Sequence, residues 1–290
     1  MKPLIEPGTP IALVAPSGAF HPEKFQAGLD IIRKRGHHSV TVPGSSAPYR
    51  YMAGSDEERA KQLTEAFRNP AYGAVWAIRG GYGLTRILDH LDYSQFQSKP
   101  LIGFSDVVAL HSALSNKGFP IVHGPVVHSL GTTTDRSVDH LFRLIEGKSL
   151  DNMQGETWVP GSAAGPIRGG NLCMLATLCG TQWQLDARGH VLVLEEVGEY
   201  PYRIDRMLQQ LKSAGVFDGA IGFAIGTFTN CTGSTDNTEE VRDILLEHLG
   251  TLGVPVVGDL PIGHGPENQA FQWNTHASLG NASLKLNANL

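Results

Sequence analysis

Short apolar runs alternate with amphipathic segments along most of the chain. IALVA (11–15) predicts a first strand that runs into the turn residues PSG. Over 22–35, Phe25, Leu29 and Ile32 share one helical face, and Gly36 supplies a natural stop. HSVTV (38–42) predicts a second strand. Ser55 followed by Glu58 forms a capping-box pattern opening a helix to about Asn69, just ahead of Pro70. Then come GAVWAI (73–78) as strand, GLTRILDHL (83–91) as helix, LIGF (101–104) as strand, DVVALHSALSNKG (106–118) as helix and PIV (120–122) as strand. This alternation predicts an α/β fold with a largely parallel sheet.

From about 130 to 165 the rhythm breaks. One helix is expected at 137–146, followed by the polar, Gly- and Pro-containing stretch KSLDNMQGETWVPGSAAGP. A chain of 290 residues has room for about two domains. The break therefore divides it into a first domain at 1–135, a linker region at 136–165 and a second domain at 166–290. The second half resumes with a helix near 171–179, the strand HVLVLE (190–195) and a Pro-started helix at 201–214. The strand AIGFAIGTF (220–228), a helix at 238–249, the strand PVVG (255–258) and short β-like segments complete it.

Composition narrows the function classes. With 41% apolar and 18% charged residues the chain can build ordinary cores. The net charge is −5 and Lys and Arg are scattered, which argues against nucleic acid or an anionic membrane as partner. No apolar run approaches the ~18 residues of a membrane span. The opening MKPLIEPGTPIALVAPSG lacks the apolar stretch and cleavage site of a signal peptide, so the cytoplasm is the expected compartment. Cys173, Cys179 and Cys231 are odd in number and show no CxxC spacing, so neither a disulfide framework nor a thiolate zinc site is expected. The histidines form no HExxH pattern, and no metal or cofactor is expected.

Four segments could carry chemistry. In LIGFSDVVALHSAL a buried strand runs into Ser105 and a helix follows at once. A serine there sits on a sharp turn where helix N-terminal amides can meet an oxyanion; the plainer reading is a helix cap. Val107 stands where a GxSxG elbow would have its second glycine. In WAIRGGYGLTRIL, Gly80, Gly81 and Gly83 follow Arg79 at a strand end. They suit a dinucleotide phosphate loop only loosely, an oxyanion-hole amide better, and a simple turn equally. HVLVLEEVGEYPYRIDRML brings Glu195 and Glu196 to a strand end, where only one of two neighbours can face a site. Arg203 and Arg206 beyond it suit surface ion pairs. In VPVVGDLPIGHGPENQAF a strand leads to His264, flanked by Gly263 and Gly265. His123, in HGP at 123–125, is a competing histidine.

Taken together, VAPSG (14–18), GSDEERAKQL (54–63), AIRGGYG (77–83), IGFSD (102–106), HGP (123–125), GGNL (169–172), LEEVGEYPYRIDRML (194–208) and PIGHG (261–265) resemble the LD-carboxypeptidase family of serine peptidases. Microcin-immunity peptidases are relatives in that family. The resemblance implies a Rossmann-like N-terminal domain with a mostly parallel sheet and a smaller α/β C-terminal domain. It implies Ser105 as nucleophile, His264 as base and Glu195 as the acid, with Glu196 the lesser alternative. Backbone amides of Asp106 and of Gly80 or Gly81 would form the oxyanion hole, and Arg79, Tyr82 and Arg86 are candidates for substrate contact. The implied activity is release of terminal D-Ala from an L,D bond of a murein tetrapeptide in cell-wall recycling. The implied partner is a small muropeptide, with a homodimer as the assembly. Two other readings stand beside it: a microcin-type amidase acting on a peptidyl-nucleotide, and a non-catalytic nucleotide-binding Rossmann-like protein. The segment after PIGHG is more polar than the apolar strand usual in the family.

Overall fold

The computed structural model describes residues 2–44, 48–232 and 239–287, so position 238, where a helix was expected to begin, lies outside the described residues. The chain forms two compact units, Met1–Lys148 and Ser149–Leu290.

The first unit alternates strand and helix: β1 (Ile11–Val14), α1 (Pro22–Lys34), β2 (Ser39–Thr41), α2 (Asp56–Arg68), β3 (Ala74–Ala77), α3 (Leu84–Ile87), β4 (Leu101–Gly103), α4 (Val108–Leu114), β5 (Ile121–His123) and α5 (Asp135–Ile145). Within the unit its strands lie in the order β5-β4-β3-β1-β2, all parallel. β1, β3 and β4 are buried along their whole length, which explains why they read as continuous apolar runs. Ser55 and Glu58 make the reciprocal capping box that opens α2.

Two helices are shorter than the apolar spacing suggested. The one expected at 83–91 is α3 followed by a 3-10 turn, Leu88–His90. The one expected at 106–118 opens as a 3-10 turn, Ser105–Val107, and α4 ends at Leu114. Just past that end Ser115 Oγ donates to the Ser112 carbonyl at 2.8 Å, a local bond that competes with continued helix.

The second unit holds β6 (Met153–Gln154), β7 (Glu156–Val159), β8 (Ser162–Asn171), α6 (Leu172–Thr177), β9 (Val191–Val197), α7 (Pro201–Ser213), β10 (Gly222–Thr229), α8 (Glu239–Leu249), β11 (Val256–Gly258), β12 (Phe271–Gln272), β13 (His276–Gly280) and β14 (Ser283–Leu286). Its sheet has eight strands in the order β6-β14-β13-β8-β9-β10-β11-β7. β8 to β11 form a parallel centre, and the flanking strands join antiparallel. Residues 136–165, expected as a linker region, contain most of α5, then β6, β7 and the start of β8. β8 pairs with β13 up to Pro166 and with β9 from Ile167 onward, so the proline sits where one ladder hands over to the other. The polar segment after His264 does supply a strand, β13, docked on β8.

Gly28 shows how tightly the first unit is packed. A Cβ at this α1 position would lie 2.1 Å from the Val127 carbonyl oxygen. Alanine normally improves a helix interior by about 1 kcal/mol over glycine. Here the neighbour is backbone and cannot swing aside. Gly28→Ala should therefore destabilise the protein by about 1–3 kcal/mol in urea unfolding.

Candidate active site

In the first unit, β4 ends at Gly103 and the chain turns at Ser105 with φ +63°. For a residue with a Cβ this left-handed conformation stores about 1–3 kcal/mol, retained where surrounding structure enforces it. The strain raises the serine at the C-terminal end of a buried parallel strand, as in a nucleophile elbow. Gly80 lies directly against it: a Cβ at Gly80 would stand 2.8 Å from Ser105 Cβ and 3.0 Å from Ser105 Oγ. The Gly80 carbonyl accepts from Gly18 N–H at 2.9 Å. That bond fixes the Gly80–Gly81 peptide plane, and because the peptide is trans the Gly81 N–H points the opposite way.

Asp106 does more than supply a backbone amide. Its carboxylate is buried, and Oδ2 accepts from Leu84 N–H at 2.9 Å, bracing the glycine turn from the serine's own loop. Burial pushes its carboxyl up; the Ser17 hydroxyl, the Leu84 amide and the Arg59 charge pull the other way. Arg59, also fully buried, donates to the carbonyls of Pro16 at 2.5 Å and Gly83 at 2.8 Å and pairs with Asp56. One guanidinium thus gathers the loops after β1, before α2 and after β3. Neither Arg59 nor Ser17 was singled out in the sequence: Arg59 lies on a capping-box helix, which reads as a surface helix, and Ser17 in a turn after β1.

The substrate-contact candidates divide. Arg86 is held by Asp56, its Nε donating to both carboxylate oxygens at 2.9 and 3.0 Å. Arg79 donates to the Ala19 carbonyl, and among the described residues no carboxylate pairs with it. Tyr82 is exposed, its ring edge-on to Tyr51 at 5.8 Å. His123 ends β5 fully buried, with the rings of Phe104 and His111 at 6.0 and 6.4 Å.

In the second unit the choice between the two glutamates is geometric. Glu195 Oε2 accepts from His264 Nδ1 at 2.7 Å, with the glutamate side chain fully buried and the imidazole 15% exposed. Glu196 turns to the other side, accepting from Asn171 Nδ2 at 3.0 Å, Cys173 N–H at 2.7 Å and Val197 N–H at 2.8 Å. Its carboxyl is pushed up to about 7, by burial first, with the Glu195 charge adding to it. The loop carrying His264 comes close because Gly263 adopts φ +125° and has no Cβ; one would lie 2.7 Å from Thr227 Oγ1 and 2.9 Å from Glu195 Oε2. Burial alone would lower the His264 pKa, but the charge and hydrogen bond of Glu195, with Glu196 behind, outweigh it and hold the imidazole above its usual value.

Arg203 pairs with Glu199 at 3.3 Å and Arg206 lies 5.4 Å over the Tyr202 ring, as befits surface residues. None of Cys173, Cys179 and Cys231 is joined in a disulfide. No described helix is long and apolar enough to cross a membrane.

A strained serine at a strand end and a buried carboxylate on a histidine are the parts from which serine hydrolases are built. The chain belongs to the LD-carboxypeptidase family: residues 11–124 match the N-terminal domain model of that family and residues 164–279 the C-terminal one. It is 34% identical over 292 residues to the murein tetrapeptide carboxypeptidase of Pseudomonas aeruginosa, covering 95% of this chain and 94% of that protein. It shares its fold with a muramoyltetrapeptide carboxypeptidase from Oxalobacter formigenes, at a TM-score of 0.85 and 29% identity over 96% of this chain and 98% of the other. A more distant structure, MccF in complex with glutamyl sulfamoyl guanosine, shares the fold at a TM-score of 0.87 and 18% identity, covering 100% of this chain and 98% of that one.

The raised His264 pKa has a signed consequence. A histidine whose folded pKa lies above that of a free imidazole, about 6.5, contributes stability that is fully present below that value. The contribution fades as pH rises through the folded pKa. His264→Gln should therefore lose more unfolding free energy at about pH 5.5 than at about pH 8.5, as urea titrations at the two pH values would show.

Proposed function

We propose that this chain is a serine carboxypeptidase that releases the terminal D-Ala of a murein tetrapeptide, with Ser105 as nucleophile, His264 as base and Glu195 as its acid. The first unit supplies the nucleophile and the second the histidine–carboxylate pair. The observation that carries the reading is the strained Ser105, at φ +63° against Gly80, in a chain whose His264 is already bound through Nδ1 to a buried carboxylate. With Nδ1 donating to Glu195, Nε2 is the lone-pair nitrogen available to take a proton. Relatives named as murein tetrapeptide and muramoyltetrapeptide carboxypeptidases support the substrate class.

The chemistry then follows. Ser105 Oγ attacks the carbonyl of the L,D bond while its proton passes to His264 Nε2, and Glu195 stabilises the imidazolium. The oxyanion is met by the Asp106 amide and by Gly80 or Gly81, each such donor worth ~2.7–4 kcal/mol in the transition state. His264 returns the proton to the departing D-Ala nitrogen. Water, deprotonated by the same imidazole, hydrolyses the Ser105 ester. Substrate contact is assigned to Arg79 and Tyr82 rather than Arg86, whose guanidinium is already engaged by Asp56. Recycling of cell-wall peptides in the cytoplasm and a homodimeric assembly belong to the same proposal.

Mass spectrometry of a murein tetrapeptide incubated with the purified protein, without added metal, tests it. Loss of one D-Ala is expected, slowed by at least roughly a thousandfold in Ser105→Ala. Equal release by the variant would remove the serine mechanism. Faster cleavage of a peptidyl-nucleotide than of the tetrapeptide would move the activity to an amidase of the microcin type.

A further inference from the structure

The mechanism above leaves one buried acid and one sequence motif without a task, and they meet each other. Glu196 follows Glu195 on β9 and points away from His264. The residue is 3% exposed, and its carboxylate accepts from three N–H donors. Two of these come from the GGNL motif and the residue after it: Asn171 Nδ2 and the Cys173 amide. Asn171 in turn caps α6, its Oδ1 accepting from Met174 N–H at 3.1 Å. Asn171 is also the register partner of Glu195 across the β8–β9 ladder. The junction from β8 to α6 is thereby tied to the same two strand residues that end in the histidine pair.

We infer that Glu196 is a positioning residue for the Glu195–His264 pair: it locks the end of β9 to the Asn171–Cys173 turn and so sets where the Glu195 carboxylate meets the imidazole. The inference rests on His264 serving as the base. Because successive residues of an extended strand face opposite sides, anchoring the Glu196 carboxylate resists backbone rotation at this strand end and so holds the direction in which Glu195 leaves β9. All three donors are N–H groups, which favours the ionised form, while burial and the adjacent Glu195 charge oppose it. The balance leaves the carboxyl poised near neutrality, at about 7. Around it stand Glu195 on its own strand, His264 on the loop after β11, and Cys231 beyond β10, whose thiol is pushed up to about 11, by burial first, and stays neutral. Glu199, on the turn before α7, also acts on Cys231. The one cationic partner in this set is His264. A negative charge on Glu196 therefore adds to that of Glu195 in favouring the imidazolium.

The test reads the His264 imidazole directly, by NMR titration of histidine-labelled protein, beside the pH profile of kcat/KM. In Glu196→Gln the His264 pKa should fall by roughly one unit. The acid limb of kcat/KM should move to lower pH by the same amount, and the plateau should drop severalfold as the base weakens. Glu196→Asp, which keeps the charge, should restore most of the pKa. A role in packing alone would lower stability and leave the His264 titration where it was; that result overturns the inference. Should Glu196→Gln fail to fold, the wild-type protein decides the matter. Its His264 titration should bend a second time near pH 7, where Glu196 ionises, and a single-step curve overturns the inference. The NMR readout is independent of turnover. A shifted imidazole in a protein that releases no D-Ala would sink the proposed activity and leave this coupling standing.

Discussion

A carboxylate with no exposed surface is tolerable only where something replaces its lost hydration, and at Glu195 the replacement is the His264 imidazole 2.7 Å away. Removing an ion from water carries an effective penalty of several kcal/mol, which a single neutral hydrogen bond of about 1 kcal/mol does not offset. The pair is therefore most comfortable when the imidazole carries a proton. That preference makes His264 a stronger base than a free histidine, and the contact engages its Nδ1. Much of the second unit serves this contact. The parallel strands β8, β9 and β10 bury Glu195, and the turn at Gly263 folds the histidine loop down onto Thr227 and Glu195.

The first unit solves a related problem with the opposite sign. Arg59 is a guanidinium without exposed surface, and it is satisfied by backbone carbonyls as much as by carboxylates. Its five donors spread over several loops, something a lysine could not do from one point. Asp106 completes the arrangement from the Ser105 side, through Leu84 N–H and the field of Arg59. The left-handed backbone at Ser105 is thus held by contacts on either side of it: the glycine turn packs on the serine, and Asp106 binds that turn in return.

Several of these features were legible in the chain. The capping box at Ser55 and Glu58 and the strand running into Ser105 follow from local patterns with physical causes, whereas the pairing of Glu195 with His264 was implied by the family resemblance. Strand alternation also implied that one of Glu195 and Glu196 would face away. What could not be read was long-range. β8 was hidden because glycine and proline at 165–170 erase the apolar alternation of a strand, although its neighbours β9 and β13 complete it. The burial of Arg59 was equally hidden, since its partners are carbonyls of loops distant in sequence. The positive φ of Ser105 is likewise set by its surroundings; serine has no preference for it.

The two glutamates show why such a site tolerates little substitution. Adjacent on one strand, they receive different environments: Glu195 is given a protonatable partner, Glu196 three N–H donors. Exchanging their roles would need a one-residue slip of β9, which would also turn Leu192, Val193 and Leu194 out of the faces they bury. The register that buries the core and the register that aims the acid are the same register. Hydrophobic burial at about 25 cal/mol per Å² over those side chains outweighs any single polar contact at the strand end. Packing of the core therefore holds the acid in place, and the chemistry at the strand end inherits its geometry from it.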